Sequence, residues 1–240
     1  MNPTLYFAPQ TCARVSLTAL EEIGKPFDTR LIAFLAAEHR APDFLAINPS
    51  GKVPALVTEG GILVQNGAIL HYLALTRPEA KLLPRVDDPL RQAQVLSWLF
   101  RCSSDLHPLV SRYVLPQFAT ANPDDADGIR AKGAELLQAQ LQPIDDLLRG
   151  REWVLDEGWS IIDAYLSWIW FRISGAGFGG FGFGQACLPA IAAHHARASE
   201  RPSAIAALRH EARAQAELKE RGLVFRPPTY DRNHGDESDR

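Results

Sequence analysis

Apolar positions recur with two different periods along this chain, and the change between them divides it. Thr4–Ala8 (TLYFA) is a β-branched and aromatic run closed by Pro9, which predicts a short buried strand. From Cys12 to Ile23, Val15, Ala19 and Ile23 fall at four-residue steps beside Leu20, predicting a helix stopped by Gly24 and Pro26. Phe27–Phe34 alternates weakly and predicts a second strand, and Asp43–Asn48 a short helix or turn. Val53–Thr58 and Ile62–Gln65 flank Glu59-Gly60-Gly61 as a hairpin, and Asn66–Leu75 returns to the helical period. The order βαβ, then ββα, fits an α/β domain over residues 1–80.

Residues 81–89 read as a linker, because Thr76–Pro89 carries Pro78, Pro84 and Pro89 and has no apolar periodicity. Beyond it the periodic segments are helical, which predicts an all-α domain over residues 90–225. Its first helix opens at Asp88-Pro89 and runs past Trp98 and Leu106 towards Leu115, with Pro108 kinking it. A second runs from Asn122-Pro123 to about Leu148 through Pro143, a third over Ser160–Ile173, and one or two more follow Ala190. Ser160 and Asp163 have capping-box spacing, so Asp163 is expected to be buried beneath a helix start. Residues 226–240 form a polar tail.

Composition narrows the class. With 46% hydrophobic and 22% charged residues, the 240-residue chain reads as an ordinary globular protein. A net charge of −3 gives no bulk attraction to nucleic acid, and no nucleic-acid partner is expected. The most apolar stretch, Ile161–Phe171, is far short of the roughly 20 residues a bilayer requires. The first residues lack a signal-peptide pattern, so a cytoplasmic protein with no membrane partner is expected. Cys12, Cys102 and Cys187 are odd in number and far apart, which excludes a disulfide framework and a CxxC metal site; no metal is expected.

Several residues are placed for chemistry. Cys12 follows a strand and a turn and stands at the head of a helix, where unpaired N–H groups and partial positive charge collect. Such a cysteine can be an activated thiolate, can donate a hydrogen bond to a bound thiolate, or can be a small core residue. Val53-Pro54 suits a cis linkage whose exposed backbone pairs with an extended peptide, or a plain trans proline at a strand start. Gln65-Asn66 stands where strand meets helix: Asn66 is a good N-cap and the amides behind it suit a carboxylate. Asp105 and His107, two residues apart, do not share a helix face. The run Gly175–Gly184, with Phe178, Phe181 and Phe183, lacks phosphate-loop chemistry and reads as a wall for an apolar pocket or as irregular packing.

Together these pieces resemble the glutathione transferase family, in particular its bacterial beta-like, cysteine-type members. The resemblance spans roughly residues 4–225 and is carried by Asn48-Pro49-Ser50-Gly51-Lys52-Val53-Pro54-Ala55-Leu56, Ala68–Leu73, Trp153 with Ser160–Leu166, and Arg201-Pro202. It implies a thioredoxin-like N-terminal domain, an all-helical C-terminal domain, a homodimer, and glutathione as co-substrate. Cys12 resembles the cysteine beside the glutathione sulfur, and Val53 the residue whose backbone pairs with the cysteinyl unit. Lys52 stands where glutamine is frequent, and Gln65 and Asn66 stand at the γ-glutamyl clamp, where Glu followed by Ser or Gly is usual. Asp105 resembles an acidic residue that reaches the partner subunit's glutathione. His107, Tyr113, Trp168 and Phe171 are expected to meet the second substrate, with Phe178 and Phe181 as a lid. The chain departs from the family at Gln65, at Phe100 where asparagine is usual, in lacking a lysine after the second strand, and in an insertion over Gly175–Pro189. The expected activity is conjugation of the glutathione thiolate to an apolar, aromatic electrophile. The alternatives are thiol–disulfide exchange or deglutathionylation through Cys12, and ligand binding without catalysis.

Overall fold

The computed structural model of the chain describes residues 2–175, 183–184 and 186–224. Its first third is built on a four-stranded sheet of order β2-β1-β3-β4. β1 (Thr4–Phe7) leads through a turn into α1 (Ala13–Ile23) and then β2 (Asp28–Leu31), which pairs parallel to β1. α2 (Pro42–Ile47) precedes the antiparallel pair β3 (Ala55–Thr58) and β4 (Gly61–Val64), and α3 (Asn66–Thr76) follows. The alternation of β1 sends Leu5 and Phe7 into the core that holds Val15, Leu17, Ile69 and Leu70, while Tyr6 stacks on Phe44 of α2 at 5.8 Å. Helices therefore cover both faces, and the sheet is a buried layer. This is the expected thioredoxin-like α/β arrangement.

Gly24 ends α1 with φ at 66°, its N–H reaching back to the carbonyls of Leu20 and Glu21. That left-handed cap suits glycine, which has no Cβ to clash. The second strand is shorter than Phe27–Phe34, because the chain turns after Leu31 into two single-turn helices over Phe34–Ala36 and Glu38–Arg40.

The helical part comprises α4 (Pro89–Phe100), α5 (His107–Val114), α6 (Ala126–Leu148), α7 (Ile161–Ile173), α8 (Pro189–Ser199) and α9 (Pro202–Glu220). The helical backbone expected from Asp88-Pro89 towards Leu115 is continuous over residues 89–114, but it is not uniformly α-helical before Pro108. A π-helical stretch, Arg101–Leu106, joins α4 to α5 and leaves Pro108 in the first turn of α5. The widened π turn before it makes room for the proline ring inside the helical run. α6 runs through Pro143 without ending.

The segment over residues 81–89 packs on the core. Leu82 and Leu83 are buried, and the Leu82 carbonyl accepts the Ile161 N–H at 2.8 Å, tying the strap to the head of α7. One apolar cluster runs from Leu5 and Leu70 through Leu99 and Leu106 to Tyr165 and Ile169, so the two parts share a core. Among the described residues no helix is long and apolar enough to cross a membrane.

Candidate active site

Between the two parts lies a cleft of about 570 Å³, well within the size range of small-molecule sites. Its floor is the head of α1. The turn before that helix closes with Thr11 Oγ1 donating to the Ala8 carbonyl at 2.7 Å and accepting from Ala13 N–H at 3.3 Å. Cys12 follows in helical conformation, buried to 6% exposure, with its thiol donating to the Val53 carbonyl at 3.8 Å. Burial pushes the Cys12 pKa up to about 12, against smaller opposing help from Arg172 and a backbone N–H. At neutral pH Cys12 is therefore a thiol and a hydrogen-bond donor, not an activated thiolate.

The opposite edge of the groove is the Val53–Pro54 peptide, which is cis, with Lys52 beside it and Asn48 bracing the turn through the Lys52 carbonyl at 2.5 Å. Gln65 is exposed on the cleft in a left-handed conformation, φ 72°. Asn66 is not the N-cap. It is already helical, and its side chain crosses to α1, taking the Ser16 hydroxyl at 2.6 Å and giving to the Cys12 carbonyl at 3.0 Å. A residue read as a local cap instead fixes the height of α1 against α3.

The helical wall carries His107, Val110, Arg112, Tyr165, Trp168 and Arg172. His107 Nδ1 lies 3.1 Å from the Tyr165 hydroxyl, and its ring meets Trp168 edge-on at 4.7 Å. Burial, then the nearby cations Arg172 and Lys52, lower its pKa to about 4, so it is neutral at physiological pH. Arg172 is buried and donates to the Gln10 carbonyl at 3.1 Å. Burial lowers its pKa to about 10 while Cys12 pulls it back up, so it remains a cation in the cleft at neutral pH.

Not every expected residue reaches this cleft. Tyr113 is buried against Phe183 at 5.4 Å and beside Gly133 of α6, where a Cβ would lie 3.3 Å from the Tyr113 nitrogen. Phe171 lies under the Arg14 guanidinium at 3.8 Å. It is not part of the cleft lining, whereas its neighbour Arg172 is. Asp105, expected to meet the partner subunit's glutathione and not this cleft, is exposed in a separate groove with Phe100, Arg101 and Gln140. Phe178 and Phe181 lie outside the described residues, as does the tail 226–240.

The description "Glutathione S-transferase, N-terminal domain" matches residues 1–75. Glutathione S-transferase GstA of Escherichia coli O157:H7 is 30% identical over 165 residues, covering 68% of this chain and 78% of the relative. The chain belongs to the glutathione S-transferase family. Its beta-like character is seen in the beta-class enzyme of Sphingomonas chungbukensis, 30% identical, with a TM-score of 0.73 over 87% of this chain and 98% of that one. A glutathione transferase homologue from Sulfitobacter with bound glutathione is also 30% identical, with a TM-score of 0.73 over 93% of this chain and 99% of the other.

Sequence reasoning on this glutathione S-transferase missed Tyr165, Arg172, Ser103 and Arg112 in the cleft. For two of them a signal existed. Tyr165, Trp168 and Arg172 are spaced i, i+3, i+7, which puts one polar-edged stripe on an otherwise apolar helix. The thiols give a direct check on burial. Cys12 and Cys102 are buried and Cys187 is exposed, so an aromatic disulfide reagent at mildly alkaline pH should titrate one thiol per native chain. Cys187→Ser should leave none; rapid labelling of Cys12 in the native protein would contradict its placement.

Proposed function

We propose that this glutathione transferase conjugates the glutathione thiolate to an electrophile with an apolar, aromatic body. The observation that carries the reading is that the buried Cys12 at the head of α1 and the buried Arg172 line one cleft with the cis Val53–Pro54 edge. A neutral thiol donor and a guanidinium stabilise an anionic sulfur better than a neutral one, which lowers the pKa of a bound thiol. The groove fits glutathione as an extended peptide. Val53 offers backbone beside the cis linkage, Gln65 and the amides of α3 suit the γ-glutamyl end, and Lys52 offers a carboxylate partner. The bound sulfur then forms a bond to the electrophilic carbon as the leaving group departs with the bonding electrons. The protein contributes thiolate stabilisation, alignment and an apolar wall of Val110, Leu115 and Trp168.

Exchange or deglutathionylation through Cys12 requires this residue to be the attacking thiolate, and burial opposes that. A homodimer and a cytoplasmic setting belong to the same proposal. The groove holding Asp105 and Phe100, the latter 57% exposed, is the face we assign to the second copy.

Calorimetric titration with glutathione tests the reading, combined with the ultraviolet absorbance of the thiolate. Saturable binding with thiolate signal at neutral pH is expected, and Cys12→Ser should retain conjugation within about tenfold, the value of one lost hydrogen bond. No binding at millimolar glutathione removes the proposal. Loss of all turnover in Cys12→Ser, with binding intact, would transfer the chemistry to the cysteine.

A further inference from the structure

The charges around the cleft are one-sided. Lys52, Arg112 and Arg172 line it, and no aspartate or glutamate does among the described residues. Two of these cations have work in the proposed conjugation, on which the present inference rests: Arg172 shares the cleft with Cys12, and Lys52 adjoins the cis Val53–Pro54 edge. Arg112 does not. It projects from the last turn of α5 on the helical wall, is exposed, and forms no ion pair or side-chain hydrogen bond with another described residue. Its neighbours along the wall are Ser111 and the apolar Val110, Pro108 and Leu115.

A guanidinium beside an apolar surface, with no acid nearby to neutralise it, is a receptor for a planar anion. Its fork matches a carboxylate with two parallel hydrogen bonds, and the apolar neighbours cover what the anion is attached to. We infer that the second substrate is an amphipathic electrophile carrying a carboxylate, with the acid on Arg112 and the apolar body against Val110, Leu115 and Trp168. The separation of roles also removes a conflict. Glutathione brings two carboxylates and an anionic sulfur into the same cleft, so a second anion enters only if a cation not engaged by glutathione receives it.

The test compares a chloronitrobenzoate with its methyl ester as acceptors of glutathione, which keeps the ring and leaving group and changes one charge. In Arg112→Gln the acid-to-ester ratio of kcat/KM is expected to fall about tenfold relative to the unmodified enzyme, the scale of a charge-assisted hydrogen bond. Arg112→Lys should keep part of the preference, and added salt should narrow it. An unchanged ratio in Arg112→Gln overturns the inference while leaving conjugation intact. If neither compound is consumed and glutathione does not bind, the conjugation reading fails on its own, and calorimetric binding of the free acid still decides Arg112. Roughly tenfold weaker binding of the acid to Arg112→Gln supports the anion site, and equal binding removes it.

Discussion

Asp163→Ala should lower the unfolding free energy by at least about 3 kcal/mol, because it strips the acceptor from four buried groups at once. Asp163 Oδ1 accepts the Val154 N–H at 2.9 Å and lies 2.9 Å from His194 Nε2; Oδ2 accepts the Ser160 N–H at 2.8 Å and its hydroxyl at 3.2 Å. Both Asp163 and His194 are fully buried, so water cannot replace the lost partner. In a chain of this size each kcal/mol moves the melting temperature by roughly 2–4 °C, giving a fall of order 10 °C by circular dichroism. Asp163→Asn keeps the volume and one acceptor but turns an NH2 group towards donors, and should fall between the two. A shift below about 1 kcal/mol for the alanine variant would mean that the capping box and the α7–α8 link do not support each other as described.

That junction was readable because it is local. Ser160 and Asp163 are three residues apart, and their capping geometry follows from the helix itself. The same holds for Cys12 at the head of α1 and for the Gly24 stop. What α5 and α7 show to the cleft is not local. Tyr113 and Phe171 are aromatic residues near the right segment, but the face each presents depends on neighbours that periodicity cannot name. For Tyr113 the neighbour is Gly133, which lets α6 come close; for Phe171 it is Arg14, which covers the ring. Asn66 shows the converse. A good capping residue type is used elsewhere because Ser16 on α1 and the carbonyl of Cys12 just before it offer a buried donor and acceptor. Composition marks the proline-rich segment as a linker but does not say what it packs on; Leu82 and Leu83 are held by the core.

The residue hardest to see in the sequence has the second large expected effect. Glu211 of α9 lies 201 positions from Gln10, yet its Oε1 accepts the Gln10 N–H at 2.9 Å and the Arg14 Nε–H at 3.1 Å, while Oε2 pairs with Arg14 Nη2 at 2.5 Å. The Gln10 carbonyl meanwhile accepts from Trp168 Nε1 at 3.2 Å and from Arg172. Both polar backbone atoms of Gln10, itself left-handed with φ 65°, are thus gripped by the helical domain two residues before Cys12. The helical part positions the turn on which the proposed thiolate site depends. Glu211→Gln keeps the shape and removes the charge, and should cost about 2 kcal/mol of stability, the scale of a charged hydrogen bond. Its effect on function should be larger: loosening the turn moves the α1 amides and Arg172 relative to the sulfur, and sub-ångström misplacement is costly in catalysis. We expect kcat/KM for glutathione to fall tenfold or more. The bound thiol should titrate at higher pH than in the unmodified enzyme, because the groups that favour its anion are less well held. Asp163→Asn supplies the contrast, since it should lower stability without moving that titration. If the two variants lose activity only in proportion to their stability, and the thiol titration stays put in both, the clamp from α9 is structural and does not set the sulfur's charge.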